Sequence, residues 1–318
     1  MAAARENGRQ GRFCMTDVPS DLLKVRAPAP DWYHANMADA GEERFVDVDG
    51  CAVHYLSWPA KRKPARGGLL FVHGGGGHAH WWSFIAPFLA QTHDVASISL
   101  SGMGDSGARD SYGADVRVAD MRGVIADAGL AGPVVVVGAS FGGFMASRFG
   151  QTHGDELAGI IVCDSPLRPP ERREEDLNRR PRMGNKRHYE SFEEALSRFR
   201  LAPAQPCDNE FLVEHIGRHS IKREPEGWCW KWHGGAMDNS RFGEPFDDFL
   251  AEATCRKAYL YGEKSAIVDE QSRDYIRGLI GEDAPMVGIP EAHHHLALDQ
   301  PLAFVVAVRS LLAGWRLS

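Results

Sequence analysis

A serine inside a glycine-flanked pentapeptide is the feature of this 318-residue chain that most directly indicates chemistry. Residues 138–142 are Gly-Ala-Ser-Phe-Gly, with Ser140 at the centre. The β-branched run at 133–137 predicts a buried strand before it, and the residues after it predict a helix. At such a strand-to-helix turn, small residues flank the serine and its hydroxyl projects above the sheet edge. Ser140 is therefore predicted to be a nucleophile.

A serine hydroxyl is a poor nucleophile at neutral pH, so this prediction requires partners elsewhere in the chain. A base must take its proton, and an acid must orient that base. An oxyanion formed by its attack needs N–H donors, and the amide of Phe141, directly after the serine, is one candidate. The glycine run at 74–77, directly after His73, is the expected source of a second donor, because glycine lets a substrate approach the backbone closely.

Two short motifs could indicate other functions. The glycine run at 74–77 lacks the lysine and the spacing of a phosphate-binding loop, and it does not fit a dinucleotide fingerprint. The Gly-Asp-Ser-Gly sequence at 104–107 looks like the nucleophile segment of chymotrypsin-like proteases. Those proteases are all-β, whereas this chain alternates strands and helices, so Ser106 is expected to be structural.

Hydrophobic periodicity predicts an α/β fold with a mostly parallel sheet. A hairpin is expected at 44–48 and 52–56 around Asp49-Gly50, which suits a type I′ turn. Further strands are predicted at 69–72, 95–100, 133–137, 159–163, 256–261 and 285–289, and the main helices at 116–128, 142–152, 269–280 and 302–315.

The same pattern predicts the domain organisation. Residues 1–43 are expected to be a loose leader in which Pro28 and Pro30 interrupt regular structure. Residues 44–164 and 256–318 are the two parts of the α/β core. Between them, residues 165–255 break the strand–helix rhythm and show no strand pattern, so a helical cap over the carboxyl edge of the sheet is expected.

Composition restricts the classes of partner. Hydrophobic residues make up 43% and charged residues 25%, as in ordinary globular proteins, and the net charge of −7 argues against nucleic acid. No apolar run approaches the length of a membrane span, and the polar N-terminus does not resemble a secretory signal, so a cytoplasmic location is expected. The six scattered cysteines are expected to be free thiols. A small-molecule substrate is the expected partner, no cofactor is expected, and a homodimer is the alternative to a monomer.

Taken together, residues 44–316 resemble the α/β-hydrolase superfamily, and in particular cap-bearing bacterial serine esterases and C–C hydrolases. The resemblance is carried by the pentapeptide around Ser140, the His-Gly loop at 73–77 and a histidine-to-proline segment ending at Pro301. It implies that the nucleophile, the acid and the base follow one another in that order along the chain. It also favours Gly75 as the second oxyanion donor, with Gly76 next.

The resemblance places the base among His293, His294 and His295, which follow the last predicted strand. In the family, the proline lies seven residues beyond the catalytic histidine, and counting back from Pro301 gives His294. His293 and His295 stay open as alternatives. A metal site is not expected here, since successive side chains diverge and cannot all reach one ion.

The acid departs from the usual pattern. The family commonly has Gly-x-x-Asp after the strand that ends at Gly262, but Ser265 stands at the aspartate position in this chain. Some members carry the acid after the preceding strand, where this chain has Asp164. Asp164 is therefore predicted to be the acid, with Glu263 second and Asp269 third.

The expected reaction is hydrolysis of a carboxylic ester through an acyl-enzyme, with a small apolar or aromatic substrate. A C–C hydrolase with the same machinery and a non-catalytic binding protein are the alternatives, and Ser265 would be the first sign of the latter. Aromatic residues are expected to line the pocket, and three arginines are candidates either for an anionic substrate or for a solvated surface. The aromatic residues are Trp81, Trp82, Phe141, Phe144, Trp228, Trp230 and Trp232, and the arginines are Arg168, Arg172 and Arg173.

Overall fold

An eight-stranded sheet forms the centre of the computed structural model, which describes residues 18–130, 132–172, 186–237 and 244–317. Its strands are β1 (Glu42–Val48), β2 (Cys51–Trp58), β3 (Gly68–Val72), β4 (Asp94–Ile98), β5 (Val134–Ala139), β6 (Leu157–Cys163), β9 (Arg256–Gly262) and β10 (Met286–Ile289). Two further strands, β7 (Ile221–Glu224) and β8 (Gly227–Trp230), form a separate antiparallel hairpin. The order in the large sheet is β1-β2-β4-β3-β5-β6-β9-β10.

The pairing of these strands confirms the predicted α/β class. β1 pairs antiparallel with β2, and β2 pairs antiparallel with β4. The remaining neighbours in the large sheet, β4–β3, β3–β5, β5–β6, β6–β9 and β9–β10, are all parallel. The first hairpin turns at Asp49 and Gly50, whose φ angles of 50° and 78° are both positive. Two positive φ angles are what a type I′ turn requires, so the predicted turn is confirmed.

Among the described residues, helices pack on both faces of the sheet and within the segment between β6 and β9. They are α1 (Asp31–Met37), α2 (Ala86–Leu89), α3 (Ala114–Asp127), α4 (Phe141–His153), α5 (Phe192–Ser197), α6 (Glu210–His219), α7 (Phe246–Ala251), α8 (Glu270–Ile280), α9 (Leu296–Asp299) and α10 (Pro301–Gly314). Short 3₁₀ turns occur at Ser20–Leu23, Ala79–Trp81, Gly154–Glu156, Pro170–Arg172 and Gly234–Met237.

The strands divide their side chains between two hydrophobic cores because successive residues of a strand point to opposite faces. In β5, Val134 and Val136 belong to the core that contains α3, α4 and α8. Val135 and Val137 belong to the core that contains α1, α6 and α10. This double burial explains why β5 reads as a continuous apolar run in the sequence.

The segment between β6 and β9 differs from the expectation of a purely helical insertion. It contains α5, α6 and α7, but also the hairpin β7–β8, which the sequence did not indicate. Each of these strands has only four residues, and Ile221 and Cys229 are the fully buried ones. Such short strands contain too few alternations for a period of two to stand out. Much of the charged run that suggested the insertion, residues 173–180, lies outside the described residues.

The leader also differs from its expectation where it is described. Pro30 directly precedes α1 as its N-cap residue instead of interrupting regular structure, and β1 begins at Glu42. Tyr33 and Asn36 are buried, and the Tyr33 hydroxyl lies 3.1 Å from Nδ1 of His215 on α6. Asn36 donates from Nδ2 to the carbonyl of Phe84 at 2.8 Å. Residues 1–17 of the predicted leader lie outside the described residues.

The composition predicted free cysteine thiols and the absence of a membrane span. Cys51, Cys163, Cys207, Cys229 and Cys255 are free thiols, as expected, and Cys14 is outside the described residues. In the part of the chain that the structure describes, no helix combines the length and the apolar character needed to cross a bilayer.

The packing of α1 gives a test of its contribution to the core. Tyr33→Ala should lower the free energy of unfolding by about 3–5 kcal/mol, because the ring is 4% exposed and lies against Phe211. The neighbouring His34 is exposed, and His34→Ala should change that free energy by no more than about 0.5 kcal/mol. Urea unfolding followed by circular dichroism measures both, and equal effects of the two variants would contradict a packed α1.

Candidate active site

The turn between β5 and α4 holds Ser140 in an unusual backbone conformation. Its φ of 52° and ψ of −116° lie outside the regions that residues with a Cβ prefer. A Cβ on Gly138 would overlap the carbonyl oxygen of Gly142. A Cβ on Gly142 would lie 2.5 Å from the carbonyl oxygens of both Val72 and His73. The two glycines of the pentapeptide are therefore required by backbone contacts, as its motif predicted.

The structure brings His294 and Asp164 together across 130 residues of chain. His294 follows β10, Asp164 follows β6, and Nδ1 of His294 lies 2.8 Å from Oδ2 of Asp164. The side chains are 5% and 1% exposed, so this contact is shielded from water. Asp164 has a positive φ of 48°, which is uncommon for a residue other than glycine.

The Asp164 carboxylate has further donors besides the imidazole. The amide of Gly262 donates to Oδ1 at 3.0 Å, and the hydroxyl of Ser265 donates to Oδ2 at 2.7 Å. A buried carboxylate is costly unless such partners compensate its charge. Ser265 occupies the position where the family commonly has its acid, and here its hydroxyl donates to the carboxylate that follows the neighbouring strand.

The other predicted acids lie elsewhere. Among the described residues, the carboxylate within ion-pair distance of His294 is that of Asp164. Glu263 is exposed. Asp269 caps α8 by accepting from the amide of Ser272 at 2.9 Å, and it pairs with Arg172 at 2.9 Å. The hydrogen bond from Arg172 holds the pKa of Asp269 well below its usual range.

The three consecutive histidines have different partners, although the ring centroids of His294 and His295 lie 4.9 Å apart. Nδ1 of His293 lies 3.5 Å from Oδ2 of Asp299, and the ring of His295 lies on Trp81 with centroids 5.2 Å apart. His294 alone of the three pairs with Asp164 in the described structure.

A cavity of about 1080 Å³ joins the predicted site residues. Ser140, Phe141 and His294 line it, together with the glycines at 74–76. Because Phe141 is the first residue of α4, its N–H has no acceptor within that helix. Gly76 has a φ of 72°, which explains the need for glycine in this loop.

The sequence did not indicate a role for His73, which holds the glycine loop in place. Burial lowers the pKa of His73 to about 4, so the ring is neutral at pH 7. Its Nε2 accepts from the amide of Leu100 at 3.1 Å, so Nδ1 carries the proton and donates to the carbonyl of Gly74 at 2.7 Å. Gly74 in turn accepts from the amide of Gly77 at 3.0 Å, which closes the turn.

Most of the predicted aromatic lining residues are found in the cavity wall. Trp228 is the exception, because its ring packs against Phe192 in a small separate core. Phe199 and Phe246 line the cavity but were not predicted, and Phe246 stacks on Phe144 with centroids 4.4 Å apart. The predicted aromatic residues that do line the cavity are Trp81, Trp82, Phe141, Phe144, Trp230 and Trp232.

The remaining candidates have structural contacts. Ser106 donates to the carbonyl of Ser99 at 2.6 Å, which fits the structural role expected of it. Arg168 lines the cavity and donates to the carbonyl of Ile267 at 3.2 Å. Arg172 is paired with Asp269, and Arg173 lies outside the described residues.

Comparison with known proteins identifies the family. A family model described as "Alpha/beta hydrolase family" matches residues 69–308, three quarters of the chain. The chain belongs to the α/β-hydrolase family. The expected family and its fold are thereby confirmed.

The relatives of this α/β-hydrolase include an esterase of Mycobacterium tuberculosis, Esterase Rv0045c. The two sequences are 24% identical over 250 residues, which cover 77% of this chain and 82% of the relative. Its crystal structure matches with a TM-score of 0.67 at 19% identity, covering 91% of this chain and all of the other. The crystal structure of E-2-(acetamidomethylene)succinate hydrolase matches with a TM-score of 0.71 at 17% identity, covering 86% and 99% of the two chains. At these identities the structural likenesses establish the fold alone.

The close contacts of the glycines in the Ser140 turn can be tested by measuring the free energy of unfolding of glycine-to-alanine variants. Gly142→Ala should lower the free energy of unfolding by about 3 kcal/mol or more, because its methyl group would meet two carbonyl oxygens that cannot move independently. Gly278 lies on the exposed side of α8, and a methyl group added there would meet no atom within 4 Å besides the adjacent backbone of its own helix. Gly278→Ala should raise that free energy by about 0.5–1 kcal/mol. Chemical denaturation measures both variants, and a Gly142→Ala protein as stable as the wild type would show that the turn is looser than described.

Proposed function

We propose that this α/β-hydrolase is a serine hydrolase that cleaves a carboxylic ester of an apolar or aromatic substrate through an acyl-enzyme. One observation carries the proposal. Ser140, on a strained turn, lines the same cavity as His294, whose Nδ1 is held by the buried Asp164. These are the three groups that nucleophilic catalysis by serine requires.

In the proposed reaction, Asp164 accepts a hydrogen bond from Nδ1–H of His294 and fixes the tautomer that leaves Nε2 as the base. His294 takes the hydroxyl proton while Oγ of Ser140 bonds to the ester carbonyl carbon. The tetrahedral intermediate collapses, the alkoxide leaves with the proton from Nε2, and an acyl-serine remains. Water then repeats the sequence and releases the acid.

The oxyanion of each tetrahedral intermediate is assigned to the amides of Phe141 and Gly75. The Phe141 amide is at the N-terminus of α4, where the helix dipole also favours negative charge. Gly75 lies in the loop that His73 fixes through the carbonyl of Gly74. N–H donors that are already in position need not reorganise when the negative charge develops. Such sites therefore lower the activation barrier.

The cavity supports an apolar substrate. Its volume of about 1080 Å³ is at the upper end of ordinary ligand sites, and its wall is rich in aromatic rings. Phe199, Trp230 and Phe246 come from the segment between β6 and β9, and we assign this segment the role of the cap. The similarity to a protein named as an esterase favours esters as the first substrates to test.

The nucleophile can be tested with a fluorophosphonate probe and p-nitrophenyl esters. The wild-type protein should hydrolyse the esters and be labelled at Ser140, and Ser140→Ala should lose both properties because the attacking hydroxyl is gone. Ser106→Ala is the matched control, because Ser106 is the serine of the other motif that resembles a nucleophile segment. The Ser106→Ala protein should still be labelled at Ser140. Peptide mapping by mass spectrometry locates the label. A folded wild-type protein that neither turns over esters nor reacts with the probe would favour the non-catalytic binding protein.

The acid can be tested by comparing carboxylates. Asp164→Asn should lower kcat by about 10⁴-fold, because an amide does not select the required imidazole tautomer. Glu263→Gln, at an exposed position, should leave kcat unchanged. Ser265→Ala removes one hydrogen bond to Asp164 and should cost about tenfold. Steady-state kinetics on one ester compares all three variants, and a larger loss in Glu263→Gln than in Asp164→Asn would refute the assignment.

A further inference from the structure

A second cluster of titratable side chains lies outside the candidate active site, beside the first two strands of the sheet. It consists of Glu43 on β1, His54 on β2, His80 in the 3₁₀ turn after β3 and Asp105 in the loop after β4. One nitrogen or oxygen atom from each residue lies within 4.8 Å of those of the other three. We propose that these four residues bind a divalent first-row transition metal ion, with Zn²⁺ as the best match.

Two buried atoms in this cluster point to a cation. Nε2 of His54 and Oδ1 of Asp105 have no hydrogen-bond partner within the described structure, although Nε2 of His54 lies 3.1 Å from Oε1 of Glu43, at ion-pair distance. The side chains are 0% and 2% exposed, so bulk water does not solvate these atoms. Buried polar atoms in native proteins are almost always paired, and an unpaired one indicates a bound ion or water. A cation between the two atoms would satisfy both.

The opposite ends of the same two side chains are already held. Nδ1 of His54 lies 3.0 Å from Oγ of Ser99, and Oδ2 of Asp105 accepts from Nζ of Lys231 at 2.8 Å. Metal-binding imidazoles and carboxylates are typically oriented by such outer hydrogen bonds. When Nδ1 of His54 donates to Ser99, Nε2 presents its lone pair to the cluster.

The donor set suits zinc. Zinc binds imidazole nitrogen and carboxylate oxygen at about 2.0–2.2 Å in a tetrahedron, which puts neighbouring ligand atoms roughly 3.4 Å apart. Nε2 of His54 lies 3.1 Å from Oε1 of Glu43, close to that separation.

Charge also favours a divalent cation. Glu43 and Asp105 contribute two negative charges, and Lys231 contributes one positive charge. The resulting net charge of the group is negative, so the group attracts a cation, which would lie between the two carboxylates. Buried carboxylates are commonly stabilised by this kind of coordination.

A rival set of three imidazoles shares His80 but is less suited. His80, His215 and His219 also place one nitrogen each within 4.8 Å of one another. Both nitrogens of His215 already have partners, however, with the Tyr33 hydroxyl at 3.1 Å and Oγ of Ser83 at 2.9 Å. Binding a metal there would break one of these buried hydrogen bonds. The set with the unpaired atoms is therefore the better site.

The metal would act on stability and not on the chemistry of Ser140. Its ligands come from β1, β2 and the loops after β3 and β4, so it would cross-link one end of the sheet. Asp105 also pairs with Lys231, which follows β8 in the inserted segment. The metal site is therefore independent of whether Ser140 is a nucleophile.

The experiment uses the full-length protein dialysed against EDTA and then titrated with ZnCl2 by isothermal calorimetry. One zinc ion should bind per chain, and zinc should raise Tm. His54→Gln and Asp105→Asn should each weaken binding by at least about 100-fold, since loss of a ligand should exceed the 10–100-fold cost of losing an outer partner. Glu43→Gln, at a half-exposed side chain that should not affect folding, should weaken binding at least about tenfold.

His219→Gln is the matched control because it removes an imidazole from the rival set alone, and it should leave zinc affinity unchanged. Far-UV circular dichroism shows that each variant is folded. The proposal is overturned if the wild-type protein binds no zinc, if binding survives the His54, Asp105 and Glu43 substitutions, or if His219→Gln abolishes it and thereby assigns the metal to the rival set.

Discussion

The close approach of α4 to the end of β3 is the constraint on which the rest of the candidate site depends. Gly142 lies so near the carbonyl groups of Val72 and His73 that no side chain fits between them. This contact bends the chain sharply after β5 and forces Ser140 into its unusual backbone conformation. It also sets the start of α4 beside the glycine loop after β3, so that one contact positions both the hydroxyl and the neighbouring amides. The energy stored in such a turn is supplied by the buried sheet around it.

The position of the proposed acid follows from the order of the strands. β6 and β9 are parallel neighbours, with Cys163 paired to Leu260, so their carboxyl ends lie side by side. A carboxylate after either strand is therefore near the same imidazole. In this chain Asp164, directly after β6, supplies the carboxylate. Ser265, which stands after β9 where the family commonly has its acid, donates a hydrogen bond from its hydroxyl to that carboxylate. The proposal of a catalytic role keeps its carboxylate, because His294 has a buried carboxylate partner in Asp164.

The sequence was informative where local chemistry decides the structure and uninformative where distant contacts decide it. Alternating strands and helices, the Asp49-Gly50 turn and the pentapeptide around Ser140 each have a local physical cause, and each was predicted. α1 was missed because Tyr33 is stabilised by Phe211 and His215, far along the chain. The aromatic lining was partly wrong for the same reason: Trp228 and Trp230 are two residues apart in β8, yet only Trp230 borders the cavity. His294 could be selected among three histidines by counting from Pro301, but only folding brings it to Asp164.

The Gly-Asp-Ser-Gly motif at 104–107, which resembles a protease nucleophile segment, lies in the loop after β4. This loop connects the sheet to the inserted segment. Gly102 and Gly104 both have positive φ angles, and their backbone groups pair with those of His233 and Lys231 beyond β8. The side chain of Lys231 borders the cavity and also pairs with Asp105 in that loop. One cation of the cavity wall is thus shared with the proposed metal site. A metal ion on Oδ1 of Asp105 would leave Oδ2 with Lys231, so this ion pair would connect the inserted segment to the metal site. The proposed metal would thus stabilise the contact between the sheet and the inserted segment, a role separate from the chemistry at Ser140.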